Sequence, residues 1–340
     1  MTTVSRRGHL GPLTTSPIGL GCMVMTTSYA PVDAVEARAT FERALQRGVT
    51  LLDTADAYAG GENERFVGEL LAGRREDLVL ATKFGLRTGV AGPLRIDGRP
   101  EYVAAACDAS LARLGVDHVD LYYQHRVDPN VPVEETVGAM AELVRVGKVR
   151  FLGLSEPSAA ELRAAHREHP IAAVQSEWSL WARGIEREVV PACRELGIGI
   201  VPYAPLGRGF LTGALDTNFA AGDLRAPDPR LQGDNLQRNS ELLATVRRAA
   251  ARHNATPAQV ALAWLMAQGS DVVPIPGVER RQWLEDNLGA LDVELDAADL
   301  AELEQTFTPG AAAGDPDAVL LRRTIAEPAP PAPRHAEAPR

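Results

Sequence analysis

Short apolar runs recur along the chain and alternate with longer amphipathic stretches. The runs contain many β-branched residues, which is typical of strands that are buried on both faces. A polar residue directly follows several of them, as Asp53 follows the run 49–52. Eight runs are predicted to form strands: 18–22, 49–52, 78–82, 119–123, 149–154, 171–174, 198–201 and 272–275.

The stretches between these strands carry the start and stop signals of helices. Ser158 with Glu161, and Thr256 with Gln259, have the spacing of a capping box, in which each side chain bonds the backbone of the other residue. The section 207–236 is rich in Gly, Asp, Arg and Pro and is predicted to be a long irregular loop. The predicted helices are 33–48, 62–71, 100–114, 133–146, 158–166, 186–196, 239–252, 257–268, 279–288 and 297–306.

This alternation of strand and helix predicts an α/β fold with a parallel sheet. Eight strands within about 300 residues are typical of a (β/α)₈ TIM barrel. A doubly wound open sheet is the alternative, but the segment 19–24 matches the glycine-rich phosphate loop of that fold only loosely. We therefore predict one barrel domain over residues 1–309, with a long loop after strand 7. The Ala/Pro-rich tail, 310–340, is predicted to be disordered.

Composition narrows the class of protein. The 340 residues have a formal net charge of −10, which argues against nucleic acid or an anionic membrane as the main partner. No apolar run approaches the roughly 20 residues of a membrane-spanning helix. The three cysteines are scattered and do not have the spacing of metal ligands. The sequence therefore predicts a cytoplasmic protein without disulfides and without a metal site.

Polar side chains follow six of the predicted strands, and a tyrosine follows the second strand closely. Singly, Asp53 is typical of a turn cap, Lys83 of a solvated loop and His125 of a structural histidine. In a barrel, however, the carboxyl ends of the strands form one rim, where catalytic residues lie. An acid, an amine, a phenol and an imidazole would then converge. The residues are Asp53, Lys83, His125, Ser155, Gln175 and Tyr203, with Tyr58 five residues beyond Asp53.

Longer motifs accompany these residues. They include Asp120-Leu-Tyr-Tyr-Gln-His-Arg-Val-Asp-Pro, Gly147-Lys-Val-Arg-Phe-Leu-Gly-Leu-Ser, Tyr203-Ala-Pro-Leu-Gly-Arg-Gly-Phe-Leu and Pro274-Ile-Pro-Gly. With the polar residues above, they resemble the aldo-keto reductases, barrel enzymes that reduce carbonyl compounds with a nicotinamide cofactor. The similarity is strongest to bacterial and plant members with the Leu-Gly-Arg-Gly-Phe loop, and it extends from about Arg7 to Thr306.

The resemblance implies a catalytic tetrad of Asp53, Tyr58, Lys83 and His125. Tyr58 would give its proton to the carbonyl oxygen while hydride arrives from C4 of the nicotinamide. An unperturbed phenol has a pKa of about 10, so a nearby cation, Lys83, would help it to act as the acid. Asp53 would pair with Lys83, and His125 would orient the substrate, a small aldehyde or ketone. Tyr29 is a further candidate for contact with the substrate.

The resemblance also implies a set of cofactor contacts. Ser155 and Gln175 would bind the nicotinamide carboxamide, Tyr203 would stack on its ring, and Arg208 would bind the pyrophosphate. Glu156 stands where many relatives have Asn, which is a departure from the family pattern. The full predicted set is Met23, Asp53, Ser155, Gln175, Tyr203, Ala204, Leu206, Gly207, Arg208, Gly277, Glu279, Asp286 and Asn287.

The cofactor is predicted to be NADPH, with NADH as the alternative. Glu279 occupies a position where NADPH-using relatives often carry a base, and a carboxylate would repel a 2′-phosphate. Either Arg280 or Arg281 supplies the compensating charge, or NADH is used. These charges could also simply cover a solvated helix face.

Two other functions are compatible with parts of the sequence. One is a non-catalytic protein of the same fold that senses the redox state of the nicotinamide, which an intact tetrad disfavours. The other is a metal-dependent barrel hydrolase or isomerase, which would need several histidine and carboxylate ligands at the rim, whereas only His125 is evident there. The sequence does not specify the oligomeric state.

Overall fold

The computed structural model describes residues 7–26, 29, 32–87, 95–220 and 222–314. Seven parallel strands form one sheet, with neighbours in the order β3-β4-β5-β8-β9-β10-β11, and two short hairpins, β1–β2 and β6–β7, lie outside it. The strands are β1 Gly8–Leu10, β2 Leu13–Thr15, β3 Leu20–Gly21, β4 Leu51–Asp53, β5 Val79–Phe84, β6 Leu86–Arg87, β7 Arg95–Ile96, β8 Val119–Gln124, β9 Val149–Ser155, β10 Ile171–Glu177 and β11 Gly199–Tyr203.

An eighth segment, 271–277, closes the sheet into a barrel without forming a regular strand. On one side, Val273 N donates to Ile200 O over 2.9 Å. On the other, Gly19 N donates to Pro274 O over 2.9 Å and Gly21 N donates to Pro276 O over 3.2 Å. Prolines have no N–H to donate in return, so this edge of the ladder is bonded in one direction only. The predicted eighth strand therefore exists as an irregular segment.

Helices surround the barrel, and most of them match the predicted ranges. The prediction for α7 was wrong at its start, because it begins at Gly233, six residues before the predicted start, and so shortens the irregular loop. The helices are α1 Ala34–Gln46, α2 Glu62–Leu71, α3 Pro100–Leu114, α4 Val133–Arg145, α5 Ala159–Glu168, α6 Val189–Leu196, α7 Gly233–Arg252, α8 Pro257–Ala267, α9 Arg281–Gly289 and α10 Ala297–Thr306.

Alternate residues of each strand point to different cores. Leu52, Leu80 and Tyr122 point outward and pack against the helices. Inward-facing residues form a second core within the barrel, and the hairpin β1–β2, which was not predicted, closes its lower end with Leu10 and Leu13. The inner core also contains Leu51, Ala81, Leu121, Tyr123, Ala173, Val201, Val273 and Ile275.

The chain after α10 returns toward the loop that follows β11. Asn239 on α7 accepts a hydrogen bond from Ala313 N over 2.7 Å and donates to Ala313 O over 2.9 Å. Most of the predicted disordered tail, 315–340, lies outside the described residues, and the domain boundary at residue 309 stays a prediction. No helix of the described ranges is long and apolar enough to cross a membrane.

Candidate active site

The strand pattern directs the predicted rim residues into the barrel. Leu51, Ala81 and Leu121 point inward. Because side chains alternate with a period of two, the same face continues at the upper ends of these strands. The inner face therefore receives all six polar residues. Five of them lie on the strands, and His125 directly follows β8: Asp53, Lys83, His125, Ser155, Gln175 and Tyr203.

Lys83 lies at the centre of the site with its side chain fully buried. Its ammonium donates to Asp53 Oδ1 over 2.5 Å, to the backbone O of Thr54 over 2.9 Å and to Tyr58 Oη over 3.0 Å. An ammonium has three N–H donors, so each of them has an acceptor. Burial works against the charge, but Asp53 and Tyr58 outweigh it and raise the pKa of Lys83. Lys83 is therefore a cation at neutral pH.

Asp53 is held from two sides. One carboxylate oxygen pairs with Lys83, and Oδ2 accepts a hydrogen bond from Gln175 Nε2 over 2.7 Å. Burial raises the pKa of Asp53, whereas Lys83 and Gln175 act in the opposite direction. A buried ion pair is stable only when hydrogen bonds satisfy the remaining polar atoms, as they do here. Asp53 thus fixes the position of the Lys83 ammonium.

Tyr58 lies on a short 3₁₀ turn, Tyr58–Gly61, whose next residues have left-handed backbone, including Ala59 at φ 50°. Asn63, fully buried, fastens this turn by donating to Cys22 O over 2.8 Å and accepting from Thr54 Oγ1 over 2.6 Å. Burial raises the pKa of Tyr58, and Lys83 lowers it. Since Lys83 donates to the phenol oxygen, the Tyr58 proton is free to point toward another acceptor.

His125 faces Tyr58 edge-on, with the ring centroids 5.8 Å apart. Burial lowers the pKa of His125 well below its ordinary value, and the charges of Lys83 and Arg126 lower it further. The imidazole is therefore neutral, and its Nδ1 is buried without a hydrogen-bond partner. A neutral imidazole can donate one hydrogen bond to a substrate oxygen. The structure thus brings together all four members of the predicted tetrad.

Comparison with known proteins agrees with this geometry. The family model described as the Aldo/keto reductase family matches residues 17–307. The chain belongs to this family. A curated relative, "Probable aldo-keto reductase 1" from Glycine max, is 47% identical over 302 residues, which cover 88% of this chain and 87% of that protein. The chain is accordingly an oxidoreductase of the aldo/keto reductase type.

Solved structures show the same barrel. The glycerol dehydrogenase from Gluconobacter oxydans is 25% identical, covers 97% of this chain and 99% of its own, and superposes with a TM-score of 0.81. An aldo/keto reductase from Klebsiella pneumoniae, solved in complex with NADP and acetate, is 28% identical with a TM-score of 0.70, over 90% of this chain and 96% of that one.

In this aldo/keto reductase the predicted nicotinamide contacts lie beside the tetrad. Ser155 and Gln175 are buried, and Tyr203 is partly buried at the end of β11. Ser155 Oγ accepts a hydrogen bond from Arg126 over 3.1 Å. Glu156, the departure from the family pattern, has left-handed backbone at φ 53° and accepts from Glu177 N over 2.8 Å.

The loop after β11 carries an arginine with an unused N–H donor, Arg208. Gly207, Arg208 and Gly209 all have left-handed backbone, with φ values of 57°, 55° and 98°. Two of their N–H groups are already engaged: Gly207 N donates to Ala204 O over 2.8 Å, and Gly209 N donates to Leu206 O over 3.1 Å. Arg208 lies 3.7 Å from Glu177 and 3.8 Å from Asp228, and its buried Nε has no hydrogen-bond partner. This unpartnered N–H of Arg208 can donate to an anion such as a pyrophosphate group.

A cavity of about 290 Å³ lies where the loops after β3 and after the eighth segment meet. Its lining includes Asp33, Glu36, Glu279 and Arg280. Arg281 was one of the two cations predicted to offset Glu279, but it pairs with Glu36. Its backbone N, Nε and Nη2 donate to the Glu36 carboxylate over 3.0, 3.1 and 2.8 Å. This pairing leaves Arg280 as the cation that lines the cavity.

The remaining predicted contacts lie at various distances from the tetrad. Tyr29 lies under the guanidinium of Arg225, 4.5 Å from it, rather than against Tyr58 or His125 in any described contact. Asp286 accepts hydrogen bonds from Thr256 and Gln259 and so joins α9 to the start of α8. The others lie on different elements: Met23 on a short 3₁₀ helix after β3, Ala204 and Leu206 on the loop after β11, Gly277 at the end of the eighth segment, and Asn287, buried, on α9.

Sequence reasoning missed several residues of the site. Thr54 acts through its backbone oxygen, which no side-chain pattern reveals. Asn63 and Glu36 act through partners that are far away along the chain. Arg126 follows His125 directly and could have been recognised as a further polar residue at the rim. Among the described residues, no three His, Cys, Asp or Glu side chains form a metal-binding group, so the hydrolase alternative gains no support.

Proposed function

We propose that this aldo/keto reductase reduces an aldehyde or ketone to the alcohol, reversibly, with Tyr58 as the acid. The bound nicotinamide would supply the hydride. The observation that carries the proposal is the Lys83 ammonium, which bridges Asp53 and Tyr58 over 2.5 and 3.0 Å. It stabilises the phenolate that forms when Tyr58 gives its proton to the carbonyl oxygen.

His125 has the complementary role in this proposal. Its neutral ring would donate a hydrogen bond to the carbonyl oxygen and place that oxygen near the Tyr58 hydroxyl. Proton transfer by a positioned acid typically contributes about 10²–10⁴-fold to the rate. Positioning of the reactants would supply much of the remainder. Asp53 does not meet the substrate but holds Lys83 in place.

We further propose NADPH as the preferred cofactor, with NADH accepted more weakly. In TIM barrels a phosphate group is often bound by the loops after strands 7 and 8 and the N-terminus of a short helix. Arg280, at the start of α9, lines such a cavity. Glu279 and Glu36 oppose the 2′-phosphate there, which favours a modest preference. The buried free thiols of all three cysteines support a cytoplasmic location.

Two measurements test the proposed function. Fluorescence titration would give the affinity for NADPH and NADH, and the loss of NAD(P)H absorbance with a panel of aldehydes and ketones would give turnover. We expect binding of both cofactors and turnover of several aldehydes. Tight binding without turnover of any carbonyl would instead indicate a redox sensor.

A further inference from the structure

Arg126 connects the ends of three strands at the barrel mouth. Its Nη1 donates to His125 O over 2.6 Å and to Ser155 Oγ over 3.1 Å. Its Nη2 lies 3.5 Å from Tyr203 Oη, at the outer limit of a hydrogen bond. The guanidinium therefore lies between β8, β9 and β11, directly beside the predicted catalytic histidine.

All three of these acceptors are neutral, and this sets Arg126 apart. Other buried guanidinium groups have carboxylate partners: Arg230, for example, pairs with Glu177 and Asp228, each over 2.8 Å. No ion pair joins Arg126 to a carboxylate among the residues that the structure describes, and its buried Nε has no hydrogen-bond partner. Arginine does not lose its proton in proteins, so this partly buried positive charge has no carboxylate within ion-pair distance among the described residues.

Glu156 is a candidate counter-ion for Arg126, but its carboxylate already accepts other hydrogen bonds. Glu156 shares an electrostatic interaction with Arg126, but its Oε1 accepts the backbone N–H of Glu177 over 2.8 Å. Burial raises the pKa of Glu156, and it does so more than Arg126 lowers it. Glu156 is thus held by Glu177 N and by the Tyr203 side chain, and no ion pair joins it to Arg126.

The charge of Arg126 reaches the reacting groups. It lowers the pKa of Tyr58 and of His125, which flank the place where a carbonyl oxygen would bind. We propose that Arg126 selects carbonyl substrates that carry an anionic group, a carboxylate in the first instance, which would complete the missing ion pair. This assignment of substrate class rests on the proposed carbonyl reduction.

The test compares matched pairs of substrates. The 2-, 3- and 4-carboxybenzaldehydes cover different separations between carboxylate and carbonyl, and the methyl ester of each has the same ring without the charge. We expect kcat/KM for at least one acid to exceed that for its ester by about tenfold or more, because charge-assisted hydrogen bonds are stronger than neutral ones. The ratio cancels any effect of Arg126 on proton transfer, since that effect is common to both substrates.

Variants then assign the preference to Arg126. Arg126→Met should lower the acid-to-ester ratio about tenfold or more, mainly through a higher KM for the acid, and Arg126→Lys should restore part of it. Arg163 on α5 provides the matched control, because it pairs with Glu195 outside the barrel over 2.8 and 2.6 Å. Arg163→Met should leave the ratio unchanged.

The outcomes separate the two proposals. If both substrates are reduced but the ratio stays near one, or survives in Arg126→Met, the substrate class is wrong while the proposed function stands. Arg126 would then only brace the strand ends, and a lower melting temperature of Arg126→Met would be its sole effect. If neither aldehyde is reduced, the proposed function and the substrate class both fail.

Discussion

At the scale of the residue, one ammonium determines the state of its neighbours. Lys83 has a carboxylate, a carbonyl and a phenol as acceptors, which leaves the Tyr58 proton directed elsewhere. Removing Asp53 or Lys83 would leave a buried charge without its partner, at a cost of about 3–5 kcal/mol. Variants of this pair would therefore confuse stability with chemistry. Tyr58 is the better residue for a test of catalysis.

Replacement of Tyr58 by Phe removes the acid and, with it, one of the three acceptors of the Lys83 ammonium. We expect kcat to fall by about 10²–10⁴-fold, the usual contribution of a positioned acid, while the Kd for NADPH changes by less than about twofold. Steady-state kinetics and fluorescence titration measure the two quantities. Tyr102→Phe on α3 is the control and should keep its activity. Rates like those of the wild type in Tyr58→Phe would exclude Tyr58 as the acid.

The direction of the Tyr58 pKa also predicts the pH profile. The phenol must be protonated to act as the acid in reduction, and burial raises its pKa above the ordinary value of about 10. Activity should therefore be level through neutral pH and decline only as the pH rises past about 10. His125, with a lowered pKa, is already neutral and adds no transition between pH 7 and 9. A basic limb centred below pH 8 would contradict this assignment.

At the scale of the element, local signals were reliable where they act within a few residues. The capping boxes at Ser158 and Thr256 both form, with Glu161 and Gln259 as their partners. The eighth strand was predicted only as an apolar run, since its irregularity comes from prolines that face β3. Closure there also depends on Gly21, where an added Cβ would meet Ile275 O at 2.7 Å.

Gly21→Ala should therefore weaken the closure of the barrel. A backbone oxygen cannot move aside as a flexible side chain does, and overpacking of this kind typically costs about 1–3 kcal/mol. Denaturant unfolding measures the loss. Gly138→Ala on α4 is the control, because its Cβ would meet only Glu168 at 3.5 Å, and alanine is the better helix former by about 0.5–1 kcal/mol. Equal stability of the two variants would show that the contact at Gly21 is relaxed easily.

At the scale of the whole molecule, barrel closure brings the two ends of the sheet together. The start of α1, with Asp33 and Glu36, meets the start of α9, with Glu279 and Arg280, around one cavity. The residues are separated by more than two hundred positions, so neither segment reveals the local charge balance by itself. Because Arg281 pairs with Glu36, the charges of these two residues offset each other. The charge balance of this cavity is thus a property of the closed barrel.

Glu279→Arg tests this charge balance. Reversing one charge near the proposed 2′-phosphate position should raise the ratio of NADPH to NADH affinity by about tenfold, the effect of roughly 1.4 kcal/mol of Coulomb energy near a protein surface. Fluorescence titration with both cofactors measures the ratio. Glu142→Arg, exposed on α4, introduces the same change of charge elsewhere. An unchanged ratio for Glu279→Arg would place the 2′-phosphate away from this helix.

The sequence by itself determined the alternation of strands and helices and the polar residues at the strand ends, because both follow from short periods along the chain. The predicted tetrad came from the resemblance to the aldo-keto reductases. The tertiary structure alone decided which partners these residues have. Examples are the hydrogen bond from Lys83 to the Thr54 carbonyl, the hydrogen bond from Gln175 to Asp53, and the contacts of Arg126 with neutral acceptors only; all join different strands of the barrel. The physical reason is that hydrogen bonds and charges act over a few ångströms in space, whereas the sequence orders residues only along the chain.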